Sequence, residues 1–256
     1  MLIRLADFNI RLKMKYNNYN RKFKYYEVET KEKTDFEISY TDEEFFAEKQ
    51  KVAQTDDAYI ESSLFLRKIS ECLPAKGAFL IHSSAFAVNN DGLLFSAPSG
   101  TGKTTHMLNW IRLIEDYKNN NIKASPFNSF FINGDKPFIR FFDNNSKTIT
   151  DKKTEIPYVY GNIWNGKENY GKNSFASLKH ICFIERSETN FVTKIDKNEA
   201  VNRIMKQVYM PKDPVALANT LKLVDRLINS CELWIIHCNM EPESAKIAYE
   251  AIFNNG

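Results

Sequence analysis

The run "APSGTGKTTH", Ala97 to His106, places two glycines, a lysine and two threonines where a polyphosphate can be held. Successive backbone N–H groups around Ser99, Gly100, Thr101, Gly102, Lys103 and Thr104 can form a concave nest for anionic oxygens, and a helix starting there adds a partial positive charge. Lys103 can reach the β- and γ-phosphates, the Thr104 hydroxyl suits Mg²⁺, and Thr105 follows on the same turn. The phosphate-loop pattern G-x-x-x-x-G-K-[ST] is met at Gly102, Lys103 and Thr104, whereas Ala97 stands in place of the first glycine. Alanine is tolerated there provided its φ is negative. The loop is therefore expected to bind ATP, with GTP as the other admissible nucleotide, together with Mg²⁺.

Phosphoryl transfer also needs a carboxylate for the metal or for the attacking hydroxyl. Asp135 in "SFFINGD" is the candidate, because it falls just past an apolar strand and Gly134 leaves room beside it. Its alternative is a turn aspartate before "KP". Arg140 and Arg186 fall near expected strand ends, where either can stabilise charge on a transferring phosphoryl group.

The elements that must position these residues are legible from periodicity. "GAFLIHSSAFAV" reads as one buried strand, "NNDG" as a hairpin turn and "LLFSA" as the strand that enters the loop. Met107, Trp110, Ile111, Ile114 and Tyr117 recur at helical spacing, which predicts an amphipathic helix from Thr104 to about Lys118. "SFFIN" reads as a strand, "FIRFFDNNSKTITD" as a hairpin closed by Asn-Asn, and "YVYGNIWNGKENYGKN" as a long loop. "LKHICFIER" and "FVTKID" follow as strands and "NEAVNRIMKQV" as a helix. Asp213 and Pro214 open a helix over "DPVALANTLKLVDRLINS", and "ELWIIHC" and "EPESAKIAYEAIFNN" close the chain as strand and helix. Ahead of this core, "FNIRLKMKY", "KYYEVET" and "DFEISY" alternate like strands, and a helix over "DAYIESSLFLRKISECL" stops at Pro74. We expect a small β-rich lobe plus helix over 1–74 and the core over 75–256.

Composition narrows the function. The 256 residues carry 35 basic and 32 acidic side chains, mixed along the chain for a net +3, so no basic footprint of a nucleic-acid binder is present. The four cysteines, Cys72, Cys182, Cys231 and Cys238, lack metal-binding spacing and read as buried thiols. Cys231, His237 and Cys238 do not form a metal site, because neighbours on a strand face opposite ways. The N-terminus lacks a continuous apolar segment and no run reaches the ~18 residues of a membrane span, so a cytoplasmic protein that binds no membrane is expected.

In "LIHSSAFAV", "APSGTGKTTH" and "FINGDKP", in that order, the chain resembles the superfamily that unites HPr kinase/phosphorylase with ATP-dependent phosphoenolpyruvate carboxykinase. The match covers about residues 75 to 255, and the short HPr-kinase-like proteins, with a "YG-x-x-W-x-GK" loop, are the most similar in pattern. The resemblance implies an α/β fold in which the phosphate loop is set in a mixed sheet, a Mg²⁺-nucleotide site, and transfer to a serine of a small protein or precursor peptide. It carries the nucleotide-binding role onto Ser99, Gly100, Gly102, Lys103 and Thr104. The family's paired aspartates are kept only in part: Asp135 matches either the first, a base, with Lys136 replacing a metal ligand, or the second, a metal ligand, with Gly134 replacing the base. His82 corresponds to a histidine that the family places near the acid, the alternative being a satisfied core residue. In the "YG-x-P-W" segment Ile163 replaces proline, while Gly161, Trp164, Gly166 and Lys167 remain. Trp164 can wall the site and Lys167 can contact phosphate or acceptor, or the pair can be a buried tryptophan beside a solvated lysine. His106, on the first helical turn, is explained by packing or a helix contact as well as by chemistry.

The reading that results is a kinase acting on a serine of a peptide or small protein, with an oligomer compatible with the sequence. A small-molecule kinase and a nucleotide-binding regulator without catalysis remain the alternatives. Carboxykinase activity is disfavoured, because the chain is too short to hold the oxaloacetate lobe of that enzyme.

Overall fold

Alternating apolar residues at the N-terminus build a small sheet from β1 (Leu2–Leu5), β2 (Phe8–Leu12) and β3 (Phe36–Ile38), with β2 in the middle. The computed structural model describes residues 1–16, 20–51, 56–98, 100–119, 129–142 and 156–253. Ala6 and Asp7, at φ of 48° and 58°, close the β1–β2 hairpin in left-handed backbone. Helices α1 (Asn20–Lys24), α2 (Asp42–Lys49) and α3 (Asp57–Cys72) complete this lobe. Thr41 caps α2 in a reciprocal box with Glu44, and Asp56 caps α3. The buried Glu61 carboxylate of α3 accepts from the backbone N–H groups of Lys15 and Tyr16, which fixes the helix against the end of the first hairpin.

The lobe is mixed, which corrects the β-rich expectation. "KYYEVET" is not a strand: α1 covers its first residue, and only Glu27 pairs with β1, in an isolated bridge to Ile3. Hydrogen bonds from Arg4 to Tyr26 and from Val28 to Leu2 hold this segment against β1, and the charged run that follows stays on the hairpin through Glu32 and Asp35, which accept from Arg4 and Asn9.

A 3-10 turn over Leu73–Lys76, containing Pro74, leads into the main sheet. Its strands are β4 (Ala78–Leu80), β5 (Ser84–Val88), β6 (Asp91–Ser96), β7 (Phe130–Asn133), β8 (Phe138–Arg140), β9 (Tyr158–Tyr160), β10 (Phe175–Arg186), β11 (Phe191–Lys194) and β12 (Glu232–Cys238). The sheet forks at the long β10. Parallel to it lie β6 and β12; β6 leads on to antiparallel β5 and β7, and β12 to antiparallel β11. The first residues of β10 pair instead with β9, which continues through β8 to β4.

Two departures from the sequence reading follow from this fork. "GAFLIHSSAFAV" is not one strand, because β4 belongs to one arm and β5 to another, and the chain crosses between them at Ile81–Ser83. "YVY" is the strand β9 rather than part of the loop. The Asn-Asn turn expected within "FIRFFDNNSKTITD" lies outside the described residues.

Helices α4 (Lys103–Asn119) and α7 (Glu243–Phe253) cover one face of the sheet, and α5 (Lys197–Ile204) and α6 (Pro214–Ser230) the other. Strand alternation sends Leu93 and Phe95 to the α4 side and Leu94 to the α6 side, so a strand covered on both faces reads as a continuous apolar run. Asn89 and Asn90, at φ of 49° and 73°, make the two-residue turn between β5 and β6. A third cluster joins the N-terminal lobe to the β4–β8–β9 arm through Phe65, Leu73, Leu80, Phe138 and Tyr160, so apolar packing is continuous across residue 74. Among the described residues no helix is long and apolar enough to cross a membrane.

Trp110 is the fully buried link between α4 and the sheet, with Phe86, Phe95 and Tyr249 around it. Trp110→Ala is expected to remove about 3–5 kcal/mol of stability, read as a lower urea midpoint with an unaltered slope.

Candidate active site

Strand β6 ends at Ser96, the chain turns through the glycine loop, and α4 begins at Lys103. Gly100 and Gly102 have φ of +78° and +114°, which L side chains rarely adopt, so the loop conformation depends on both. Ala97 has no positive φ and is buried with Phe95 and Met107, so the missing glycine imposes no backbone strain. Ser99 lies outside the described residues. Lys103 turns back so that its Nζ donates to the Ala97 carbonyl oxygen at 2.6 Å. Burial pushes its ammonium pKa down, and the charge of Asp135 partly opposes that.

Asp135 faces this loop across a cleft of about 1060 Å³ lined by Gly100, Gly102, Lys103, Thr104, Thr105 and Asp135 among others. It sits one residue beyond Asn133 and Gly134, at the end of β7. The Asn133 Oδ1 accepts from the backbone N–H of Asp135 at 2.8 Å and of Lys136 at 2.7 Å, closing a tight turn that presents the carboxylate. A Cβ at Gly134 would stand 2.6 Å from the Asn165 carbonyl oxygen, so only glycine lets the two segments approach this closely.

His82 lies at the crossing between β4 and β5, and its Nε2 is 3.0 Å from Asp135 Oδ1. Lys136 Nζ bonds the other carboxylate oxygen. Burial by itself pushes the Asp135 carboxyl up, but the hydrogen bonds from His82 and Lys136, with their charges, hold it down at about 2. Asp135 is therefore ionised at neutral pH.

The loop after β9 closes the site from another side. Asn162 Nδ2 donates to the Lys136 carbonyl, its Oδ1 accepts from Asn133 Nδ2 at 3.1 Å and from the Trp164 N–H at 2.9 Å, and both asparagines are buried. The Trp164 indole N–H donates to Ser62 of α3, at 3.0 Å to its hydroxyl. Trp164 and the exposed Lys167 both line the cleft, so both readings of this loop find a counterpart: the indole is packed and the lysine solvated, yet each borders the site.

Arg186, at the end of β10, donates from Nε to the Thr101 carbonyl at 3.2 Å and from Nη2 to that of Gly100 at 2.5 Å. It thus braces the phosphate loop. Thr101 does not line the main cleft; it faces a shallower cavity of about 560 Å³ with Pro98, Gly100 and Arg186. Arg140 is also apart from the site, which corrects the expectation of a phosphate contact. Its guanidinium donates to the Ala6 carbonyl and lies 3.9 Å from the Phe8 ring centroid, so it secures the left-handed turn of the first hairpin.

Several site residues carry no sequence signal of their own. Asn162 reads as one more polar loop residue, yet it connects the Asp135 turn to Trp164. Asn109, buried on α4, donates to the carbonyls of Met240 and Glu241 and places Met240 over Gly102. Its register on the helix is the single clue.

Comparison with solved structures finds a likeness to the Hpr(Ser) kinase/phosphatase from Coxiella burnetii, at 13% identity and a TM-score of 0.24, over 58% of this chain and 90% of that one. No model of a known protein family and no curated protein matches the chain.

His106 is a packing residue: it is buried, and its Nε2 accepts from the Trp110 indole N–H at 3.0 Å. The proton therefore sits on Nδ1, and burial lowers the ring's pKa to about 4. Because the unfolded ring takes up its proton near pH 6.5, the native state loses stability as pH falls from about 6.5 toward 4, and loses nothing from this group above that range. In urea titrations across pH 7 to 4, His106→Gln, which keeps an acceptor, is expected to flatten that decline. An identical slope in both proteins would contradict the assignment.

Proposed function

We propose that this protein is an ATP-dependent kinase that transfers the γ-phosphoryl group to a serine hydroxyl of a peptide or small protein. The observation that carries the reading is that Lys103, on a strand–glycine loop–helix turn, and the Asp135–His82 pair border one cleft. The protein is then a cytoplasmic phosphotransferase with its nucleotide site in the core that follows residue 74.

The residues present fit a Mg²⁺-nucleotide. Lys103 is a half-buried cation whose hydrogen bond goes to a neutral carbonyl, an arrangement that an anion would complete. The Thr104 hydroxyl and, once Lys136 releases its Oδ2, the Asp135 carboxylate would be the hard oxygen donors that Mg²⁺ takes. When bound, the metal would offset charge on the phosphate oxygens.

The chain's own groups supply positioning and electrostatics. Backbone N–H groups at the start of α4 and Lys103 hold the triphosphate, and Arg186 keeps the loop in shape from behind. The acceptor hydroxyl is oriented by the Asp135–His82 pair. Its oxygen forms the new bond to phosphorus, the bond from phosphorus to the departing ADP oxygen breaks, and the hydroxyl proton passes to that pair. A carboxylate held at about 2 is a weak base, and a loose phosphoryl-transfer transition state asks little of one. Asp135 then receives the hydroxyl proton or holds the metal, according to whether it stands for the base or for the metal ligand of the family's acidic pair.

The test is intact-mass spectrometry of short peptides encoded beside this gene, each incubated with the protein and Mg²⁺-ATP. A gain of one phosphate on one serine is expected. Asp135→Asn should slow it by about 10²–10⁴-fold while ATP still binds. Consumption of free serine or threonine in place of any peptide would favour the small-molecule kinase, and ATP binding without transfer to any acceptor would favour the regulator.

A further inference from the structure

The cleft of about 1060 Å³ is at the upper end of the ~300–1000 Å³ typical of small-ligand pockets. Its lining reaches the N-terminal lobe, where Ser62, Ser63, Leu66 and Arg67 of α3 adjoin Trp164. That wall is held at a fixed distance from the chemistry, because Trp164 bonds Ser62 at one end and is tied through Asn162 to the Asp135 turn at the other.

The charge of the lining is uneven. Six cations, Lys22, Arg67, Lys103, Lys136, Lys167 and Arg186, face three carboxylates, Glu48, Asp135 and Glu168. Two of those carboxylates are occupied: Arg67 Nε bonds Glu48 at 2.9 Å, and Lys136 bonds Asp135. A Mg²⁺-nucleoside triphosphate carries about two net negative charges, which leaves the lining with positive charge to spare. The surplus falls beside Trp164. Lys22, half-buried, precedes Phe23, whose ring meets that of Trp164 at 6.1 Å, and Lys167 follows Trp164 by three residues. Among the described residues neither lysine has an ion-pair partner.

We infer that the N-terminal lobe is the acceptor-binding wall, and that the acceptor is a peptide segment lying along α3 with a carboxylate within a few residues of its serine, read by Lys22. The inference rests on the kinase reading and adds to it where the peptide lies and what flanks its serine. A free amino acid would leave the α3 side of the cleft unfilled, whereas an extended segment spans it at ~3.3 Å per residue.

An oriented library of synthetic peptides, each with one fixed serine and four randomised positions on either side, tests this with Mg²⁺-ATP. Asp and Glu should be enriched about fivefold at one or two flanking positions. Lys22→Glu should reverse the choice there to Lys or Arg, and Lys22→Gln should abolish it, with thermal midpoints matching the wild type. Phosphorylation with no acidic preference, or with a preference that Lys22→Glu leaves in place, would overturn the inference while the kinase reading stands. Failure to phosphorylate any library peptide, with free serine phosphorylated or no transfer at all, would overturn the peptide-kinase reading itself.

Discussion

Asn133 is the buried side chain on which the arrangement depends. Its Oδ1 accepts two backbone N–H groups and so folds the chain back at Gly134, while its Nδ2 reaches Asn162. From Asn162 the hydrogen bonds run on to Trp164 and from Trp164 to Ser62. A polar group buried without partners costs several kcal/mol by transfer, and the bonds of this series spare the two buried asparagines that cost. The series links the acid at the end of β7 to α3 of the N-terminal lobe, and the distance from carboxylate to that helix follows from it.

The sheet fork supplies the other half of the geometry. Because β4 and β5 belong to different arms, the chain must cross at Ile81–Ser83, and the crossing delivers His82 to Asp135. A continuous strand through these residues would have directed the imidazole by alternation alone. The glycine loop leaves β6, which is hydrogen-bonded to β5, so loop, histidine and acid are set by three neighbouring strands of one sheet. Arg186, at the end of the next strand, braces the loop through two carbonyls. Precision here comes from strands, with the loops held to them by side-chain hydrogen bonds.

The sequence made the local parts of this legible and the non-local parts illegible. The glycine loop, the helix after it and the acid past "FFIN" depend on neighbours in the chain, and their order could be read directly. The break in "GAFLIHSSAFAV" could not, because β4 and β5 are both buried on two faces and neither shows alternation. Arg140 and Arg186 look alike in sequence, each closing a strand. Only the topology sends one to the turn of the N-terminal hairpin and the other to the phosphate loop. The Asn133–Asn162 bond joins residues 29 apart through side chains that read as ordinary turn formers. The N-terminal lobe reads as more β-rich than it is because "KYYEVET" alternates like a strand while the lobe offers it one isolated bridge.

The central claim is that Lys103 and its loop hold a nucleotide triphosphate. Calorimetric titration of Mg²⁺-ATP into the protein and into Lys103→Ala tests it most directly. The account predicts saturable binding to the wild type at one site per chain, weakened by about 10- to 100-fold in the variant, the range for losing a hydrogen bond to a charged group. No binding to the wild type, or equal affinity in both proteins, would contradict it.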